Sequence, residues 1–287
     1  WFYTAKPDDF KKIPGSPVAY WVSDNFKNVF SSDVKLRGKG VNPATGLQTG
    51  SNSEFIRYWF EVSCSSMRAK WFPLNDGGDV RKWYGNLLSV INWQEDGKEI
   101  RANSSSVIRN SQYYFKQGGT WNRISSAFFS VRYLPSGFIF DQAGDSFFCE
   151  NEKDLNRMIG FLNSCVGFSV AKILCPALNT TAGNLEDFPY PKCEDEVACD
   201  KSVSELIEVA KDDWDSQEIS MDFSKISMLE NESESRSLQS SWNLWLKISK
   251  SRIHRVKFLE ELNNRIFIRS YGLQDELSPE VPEDQIT

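Results

Sequence analysis

The sequence predicts an α+β fold in which a β-rich region with a mixed sheet, residues 1–192, precedes an acidic helical region, residues 193–287. Short apolar and aromatic runs separated by turn residues fill the first region and are typical of strands. Two prolines within residues 184–192 exclude helix there and mark the boundary. Apolar residues at three- and four-residue steps then predict one long helix over residues 241–271.

The shorter elements follow from local patterns. Four runs of aromatic and β-branched residues predict strands, at residues 18–22, 70–74, 88–93 and 128–134. Three runs with apolar side chains on one face predict helices, at residues 54–62, 152–166 and 202–214. Asp96-Gly97 predicts a hairpin turn, since these residues adopt positive φ values. Gly272 predicts the end of the long helix.

Composition limits the class of protein. Of the 287 residues, 40% are hydrophobic, which is enough for a core. No run approaches the roughly 18 apolar residues of a membrane span, so we expect a cytoplasmic protein that does not contact the membrane. Six scattered cysteines and one histidine do not supply a zinc site. The opening Trp1-Phe-Tyr, without an initiator Met, indicates a piece of a longer polypeptide.

The net charge of −6 is divided unequally along the chain. Residues 1–140 carry 18 Lys and Arg against 11 Asp and Glu, which gives +7. Residues 193–287 carry 11 against 21, which gives −10. Overall acidity argues against nucleic-acid binding, but a basic, aromatic-rich first half removes that objection.

The segment 42–55 is the most informative stretch of the chain. It combines proline, glycine, asparagine and short hydroxyl side chains, and is therefore a turn-rich loop that leads into the predicted helix with Asn52 as its cap. A polar loop of this kind is suited to close approach to a phosphate or a base. Gln48, Thr49 and Asn52 either contact bases or only fold the loop.

Three further clusters carry cations beside aromatic or amide side chains. They are Lys35, Arg37 and Lys39; Arg81, Lys82, Trp83 and Tyr84; and Arg109, Asn110 and Gln112. We expect the cations of the first two clusters, with Arg57, to position a nucleic-acid backbone. The rings of the second cluster would stack on an extruded base, and the third cluster would contact purine edges. The alternative for each cluster alone is a solvated turn with its rings in the core.

Catalytic motifs are absent from the sequence. It holds no Asn-Pro-Pro-Tyr or Asp-Pro-Pro-Tyr, the motif that holds an adenine amino group for methylation. It also has no G-x-G-x-x-G motif, no Walker loop and no Glu-x-Lys triplet of the common metal-dependent nucleases. We therefore expect the chain itself to be non-catalytic.

Eight motifs in a fixed order together resemble a known family. They include Lys70-Trp-Phe-Pro-Leu74 and Arg81-Lys-Trp-Tyr-Gly-Asn86, and the others are residues 13–24, 46–52, 106–110, 119–126, 179–191 and 266–277. The chain resembles the C-terminal half of the PglX family, the adenine-specific DNA methyltransferases of bacterial BREX phage-defence systems. It is similar, more loosely, to the target-recognition regions of single-chain restriction–modification enzymes and of type I specificity subunits.

The resemblance implies DNA target recognition rather than methyl transfer. In this family the half that binds S-adenosylmethionine and transfers the methyl group lies N-terminal to the matching region, so no cofactor is expected in this chain. The implied partners are double-stranded DNA, the N-terminal methyltransferase lobe of the same polypeptide, and other defence proteins or a phage protein that mimics DNA.

Two alternatives from other classes remain open at this point. The long helix, with apolar residues over 242–266, and the acidic tail favour a protein-interaction module that docks other defence components or a DNA-mimic inhibitor. Aromatic residues in a β-rich region are also compatible with a polysaccharide-binding domain.

Overall fold

The computed structural model describes residues 11, 13–30, 35–36, 38–125, 128–177, 179–229 and 237–286. One sheet is built from β1 (Val41–Ala44), β5 (Gly118–Trp121), β6 (Val131–Leu134) and β8 (Ser146–Cys149). Its order is β1-β8-β5-β6, and every neighbouring pair is antiparallel. We call it the antiparallel sheet.

A second sheet is built from β2 (Ile56–Tyr58), β3 (Trp71–Asn75), β4 (Ser89–Asn92) and β7 (Ile139–Phe140). Its order is β2-β4-β3-β7, with antiparallel pairs except for the parallel pair of β3 and β7. In that parallel pair Leu74 lies opposite Ile139. Because it contains both kinds of pairing, we call it the mixed sheet.

Helices surround and follow the sheets. They are α1 (Asp24–Lys27), α2 (Asn52–Phe55), α3 (Gln94–Ala102), α4 (Glu152–Leu162), α5 (Cys165–Leu174), α6 (Ala182–Glu186), α7 (Glu196–Asp215) and α8 (Leu238–Tyr271). Short 3-10 helices lie at Asn28–Phe30, Trp59–Glu61, Cys64–Ser66, Ser111–Tyr113, Ser227–Leu229 and Glu283–Gln285. The α+β fold with one long helix is therefore confirmed.

Helices α7 and α8 pack along each other and against α4. The Asp195 side chain caps α7 by accepting from the Ala198 N–H, and Ser237 caps α8 in the same way. Val203, Leu206 and Ala210 lie on one face of α7 at three- and four-residue steps and are buried. Gly272 ends α8 in the left-handed conformation, with φ of 67°, as predicted.

The larger hydrophobic cluster crosses residue 192. It joins Trp121 and Phe147 of the antiparallel sheet to Phe161 of α4, Leu206 of α7 and Phe267 of α8. A smaller cluster lies on the mixed sheet and contains Leu74, Ile91, Trp93, Tyr114 and Phe140. The division of the sequence at residue 192 remains a prediction, and the helices beyond it share a core with the strands before it.

Several local predictions differ from the structure. Residues 18–22 form no strand, and Val18, Tyr20 and Trp21 are exposed. The predicted helix over 54–62 is only the one turn of α2, because Ile56–Tyr58 pairs with β4 instead. Glu95, Asp96 and Gly97 adopt positive φ values as predicted, but they lie within α3, and a helix rather than a second strand follows them.

Among the described helices, no single one is long and apolar enough to cross a membrane. Lys153–Leu162 and Cys165–Leu174 have the length and composition of a span only when taken together, and a bend of 71° separates them.

Candidate nucleic-acid interface

The segment 81–84 lies where the β-rich region meets the acidic helices. Arg81 forms an ion pair with Asp213 of α7, and its guanidinium carbon lies 5.3 Å from the centroid of the Trp214 ring. The Nε of Arg81 also donates to the Tyr84 carbonyl oxygen at 2.9 Å. The charge of Arg81 is therefore matched by a carboxylate from the helical region.

Glu260 of α8 accepts two hydrogen bonds from the same segment. Lys82 Nζ and Trp83 Nε1 each donate to one of its oxygens at 2.7 Å. The side chains of Lys82 and Glu260 are 10% and 3% exposed, and Trp83 and Tyr84 are buried. A buried charge is tolerated when it is paired and hydrogen-bonded, as here. Lys82, Trp83 and Tyr84 therefore have a structural role in this fold, and their contact with nucleic acid stays a prediction.

Two predicted segments, residues 45–52 and 103–112, lie beside two segments that were not proposed as site residues, 122–124 and 140–145. We call these four segments together the loop face. Leu47 N–H donates to the Phe140 carbonyl oxygen at 3.1 Å, and Gln142 N–H donates to the Leu47 carbonyl oxygen at 3.1 Å. Gln48 and Val107 exchange two main-chain hydrogen bonds of 2.9 Å. Segments far apart in sequence are therefore fixed side by side.

Close backbone contact at the loop face depends on Gly46. A Cβ at this position would lie 2.1 Å from the Phe140 carbonyl oxygen, so no other residue fits without displacing the main chain. Gly46, one of the two glycines of the turn-rich segment, therefore serves packing against β7.

Thr49 and Asn52 fold the loop. Thr49 is 2% exposed, and its hydroxyl donates to Asn52 Oδ1 at 2.5 Å and accepts from the Ser51 N–H at 3.2 Å. The side chain of Asn103 donates to the Thr49 carbonyl oxygen at 3.4 Å. Of the two interpretations left open by the sequence, a folding role fits Thr49 and Asn52, whereas Gln48 keeps an amide that is only half-buried.

The third predicted cluster borders this loop. Asn110 has a left-handed backbone, with φ of 53°, and its Nδ2 donates to the Thr45 carbonyl oxygen at 2.9 Å. Gln112 is exposed, and its Nε2 donates to Asn110 Oδ1 at 3.5 Å. Arg109 is half-buried and has no carboxylate partner among the described residues. Asn110 therefore helps to hold the loop, while Arg109 and Gln112 remain available to a ligand.

Two residues of the loop face were missed by the sequence analysis. Arg123 N–H donates to the Ala143 carbonyl oxygen at 3.0 Å, which brings Arg123 beside Gln142. Both line a cavity of about 390 Å³ that opens beside Gly77. The neighbouring Ile124 is 70% exposed. Arg123 stands within the motif 119–126 and Gln142 in none of the predicted clusters, and main-chain pairing of distant segments brings the two together.

The electrostatics of the loop face depend on two arginine side chains and two buried carboxyl groups. Burial raises the pKa of Asp145 to about 6, although Arg123 and Arg109 both lower it. Burial also raises the pKa of Asp141 to about 7, against two main-chain N–H groups that favour its charged form. Within the described residues neither arginine has an ion-pair partner. Both guanidinium groups therefore favour the charged form of one buried carboxyl group.

The remaining predicted cations are dispersed. Lys35 pairs with Asp187 at 2.7 Å. Lys39 is exposed beyond the start of β1, at the end of that strand away from the loop face. Arg57 donates to two main-chain carbonyl oxygens, at 2.6 and 2.7 Å. Arg37 lies outside the described residues.

Comparison with known proteins places the chain beside two curated methyltransferases, although no family model matches it. It is 41% identical over 239 residues to the adenine-specific methyltransferase BrxX of Escherichia coli O9:H4 (strain HS), covering 80% of the chain and 19% of that protein. It is 35% identical over 306 residues to the adenine-specific methyltransferase PglX of Lacticaseibacillus casei (strain Zhang), covering 99% of the chain and 25% of that protein. The chain therefore spans a quarter or less of the length of each of these curated relatives.

Proposed function

Because the chain belongs to the family of PglX and BrxX adenine-specific methyltransferases, we propose that it is the part of such an enzyme that recognises the DNA target. It would bind duplex DNA and present the target adenine to a catalytic lobe elsewhere in the parent polypeptide. S-adenosylmethionine would supply the methyl group on that lobe. The parent enzyme would act in a BREX-type phage-defence system in the cytoplasm.

One observation carries the proposal. On the loop face, Arg109 and Arg123 both act electrostatically on the buried Asp145, and neither has an ion-pair partner among the described residues. Guanidinium groups without an ion-pair partner, beside solvent-accessible amides, attract phosphates and can contact base edges. The cations of segment 81–84 lack this property, because α7 and α8 supply their carboxylates.

The physical need for such a part comes from base flipping. An enzyme that modifies a base amino group in a duplex must turn that base out of the stack, at a cost of a few kcal/mol. Contacts of a separate recognition lobe with the groove and the phosphates offset that cost. The acidic helices would face away from the DNA, since their charge of −10 repels it.

The test is the salt dependence of duplex binding, measured by fluorescence anisotropy. Affinity should fall steeply with salt, and Arg109→Ala with Arg123→Ala should reduce the slope of log K against log salt by roughly two. The matched control is Arg255→Ala with Arg265→Ala, which removes two cations that already have carboxylate partners on the helices. The control should leave the slope unchanged.

Salt-insensitive binding by the unmodified chain, or an equal change of slope in both double variants, would contradict the proposal. So would full affinity in the Arg109 and Arg123 variant. Circular dichroism of each variant establishes that the fold is intact before binding is compared.

A second function, docking of another protein, is favoured by the first half of α8. The rings of Trp242 and Trp245 stack with centroids 4.9 Å apart, and Trp242 is 44% exposed. A cavity of about 320 Å³ between α7 and α8 is lined by Leu206, Trp245 and Ile253. Other defence proteins or a DNA-mimic inhibitor are the partners implied by the family resemblance.

Capture of purified defence-system proteins by the immobilised chain tests this second function. Trp242→Ala should reduce capture while leaving DNA binding unchanged, because Trp242 lies on α8 and belongs to none of the segments that form the loop face. Equal capture by both forms would remove this candidate. The whole chain is used, since the helices share a core with the strands.

A further inference from the structure

A direct hydrogen bond joins two glutamine side chains on the loop face. Gln48 Nε2 donates to Gln142 Oε1 at 2.5 Å, although the residues are 94 positions apart in sequence. Both residues are half-buried, so each keeps part of its surface open to solvent. Gln142 also lines the open cavity beside Arg123. The pair therefore lies at the accessible centre of the loop face.

The main chain holds both glutamines in place. Gln48 exchanges two main-chain hydrogen bonds with Val107, and the adjacent Leu47 bonds Phe140 and Gln142. Leu47 and Phe140 are fully buried. A side chain carried on a backbone fixed from two sides loses less freedom on binding than one on a free loop.

The amide of Gln48 still has hydrogen-bonding capacity. A glutamine carries two N–H donors and a carbonyl acceptor, and the bond to Gln142 uses one donor. One N–H and Oε1 of Gln48 remain for a ligand. If the two amides are assigned in the opposite orientation, the pair still offers one free acceptor and one free donor.

We propose that Gln48 reads an adenine in the major groove of the bound duplex and that Gln142 is the positioning residue that orients its amide. This inference rests on the proposed function. In the major groove adenine presents the N7 acceptor next to the N6 amino donor, which matches the free N–H and Oε1 of one glutamine amide. Guanine presents two acceptors and would oppose Oε1, and cytosine lacks the acceptor.

The flanking side chains fit this arrangement. Arg123 lies beside Gln142, and Arg109 follows Val107 by two residues on the segment that pairs with Gln48. Phosphate contacts from both sides would fix the register of the duplex, and base contact from the centre would give the sequence preference. The read adenine is a base of the recognised site and need not be the base that is methylated.

Selection from a pool of short duplexes with randomised central base pairs tests the inference. The chain captures duplexes, and the bound fraction is sequenced. At one position the ratio of adenine to any other base should rise by about fivefold or more, as expected for a good bidentate contact. Gln48→Met keeps the length and apolar stem of the side chain, and should lose the enrichment while the total amount captured stays within about twofold.

Two changes at Gln142 separate positioning from bulk structure. Gln142→Leu removes the acceptor for Gln48 and should lose the enrichment without weakening total capture. Gln142→Glu keeps an acceptor oxygen but adds a negative charge, so it should retain the enrichment while capturing less DNA. A merely structural role predicts the opposite ranking, because leucine suits a half-buried site better than glutamate.

The outcomes distinguish the two proposals. If the unmodified chain captures no duplex, the proposed function fails, and this inference fails with it. If it captures duplexes without an adenine preference, or if Gln48→Met keeps that preference, only the inference is overturned. If Gln142→Leu keeps the preference and Gln48→Met loses it, the positioning role of Gln142 is overturned.

Discussion

The segments 81–84 and 109–112 both place cations beside rings or amides, yet one is closed against the helices and the other lies open. Arg81 and Lys82 pair with carboxylates of α7 and α8, which lie 132 and 178 positions away in sequence. Arg109 has no such partner among the described residues. A basic motif is therefore available to a nucleic acid only where no distant carboxylate of the same chain reaches it.

The largest expected effect is at the closed segment. Glu260→Ala leaves Lys82 charged and buried and removes the acceptor of the Trp83 indole. We expect a loss of about 3–5 kcal/mol in the free energy of unfolding, as for other broken buried pairs. Urea denaturation followed by tryptophan fluorescence measures it.

The control for that change replaces the whole pair. Lys82→Met with Glu260→Leu substitutes apolar side chains of similar volume but still removes the acceptor of the Trp83 indole, so it should cost about 1–3 kcal/mol, less than Glu260→Ala. DNA affinity should be unchanged in this double variant. A marked loss of salt-dependent DNA binding in a variant of normal stability would indicate that Lys82 contacts the DNA. Segments 81–84 and 109–112 would then not differ in their availability to DNA.

A pH-dependent effect is expected beneath the open face. Asp141 has its pKa raised to about 7 by burial, so the folded protein holds this proton more tightly than the unfolded chain. The resulting stabilisation is complete below about pH 4 and is lost as the pH rises through 7. Asp145, with a pKa of about 6, acts in the same direction.

Asp141→Asn removes one titrating group and keeps an oxygen for the Ala143 and Gly144 N–H groups. Between about pH 5 and pH 8 the free energy of unfolding of the variant should fall by roughly 2 kcal/mol less than that of the unmodified protein. Melting curves across this range measure the difference. Identical pH profiles would show that Asp141 is already ionised at pH 5.

Arg81→Ala should have a smaller effect on stability. It removes an ion pair with the half-exposed Asp213 and the contact with the Trp214 ring. We expect a loss of about 1 kcal/mol, since a partly exposed pair and a cation–π contact each contribute little. An unchanged unfolding midpoint would mean that the contacts of Arg81 with α7 add nothing to the stability of the fold.

The smallest effect on stability is expected at the open segment. Arg109→Ala and Arg123→Ala should each change the free energy of unfolding by less than about 0.5 kcal/mol, because neither side chain has a paired charge to lose. The same variants carry the largest expected change in DNA binding. Strong destabilisation by either would assign these arginines to the fold.

The sequence predicted the elements whose pattern is local. The strand pair β3 and β4, the helix α7 and the long helix α8 follow from runs that keep one period and end at a recognised stop such as Gly272. The strand predicted at 18–22 and the helix predicted over 54–62 differ from the structure because tertiary contacts outweigh the local pattern. In the second case Ile56–Tyr58 has a partner strand in β4, and pairing outweighs helix propensity.

The candidate site was predicted only in part. Gln48, Arg109 and Gln112 stand in segments that are visibly polar and rich in turns. Gln142 and Arg123 join them through main-chain bonds between segments dozens of positions apart, which no local pattern specifies. Burial of segment 81–84 depends likewise on the packing of α7 and α8 against it.

The ladder of main-chain bonds at the loop face has a consequence for how binding preference can change. Bonds between Leu47, Gln48, Val107 and Gln142 use only N–H and C=O groups, which every residue except proline provides. The side chains at 48, 107 and 142 are therefore free to be exchanged while the backbone stays in place. On the proposed function, a small library varied at these three positions would contain chains that select new DNA sequences with the same backbone.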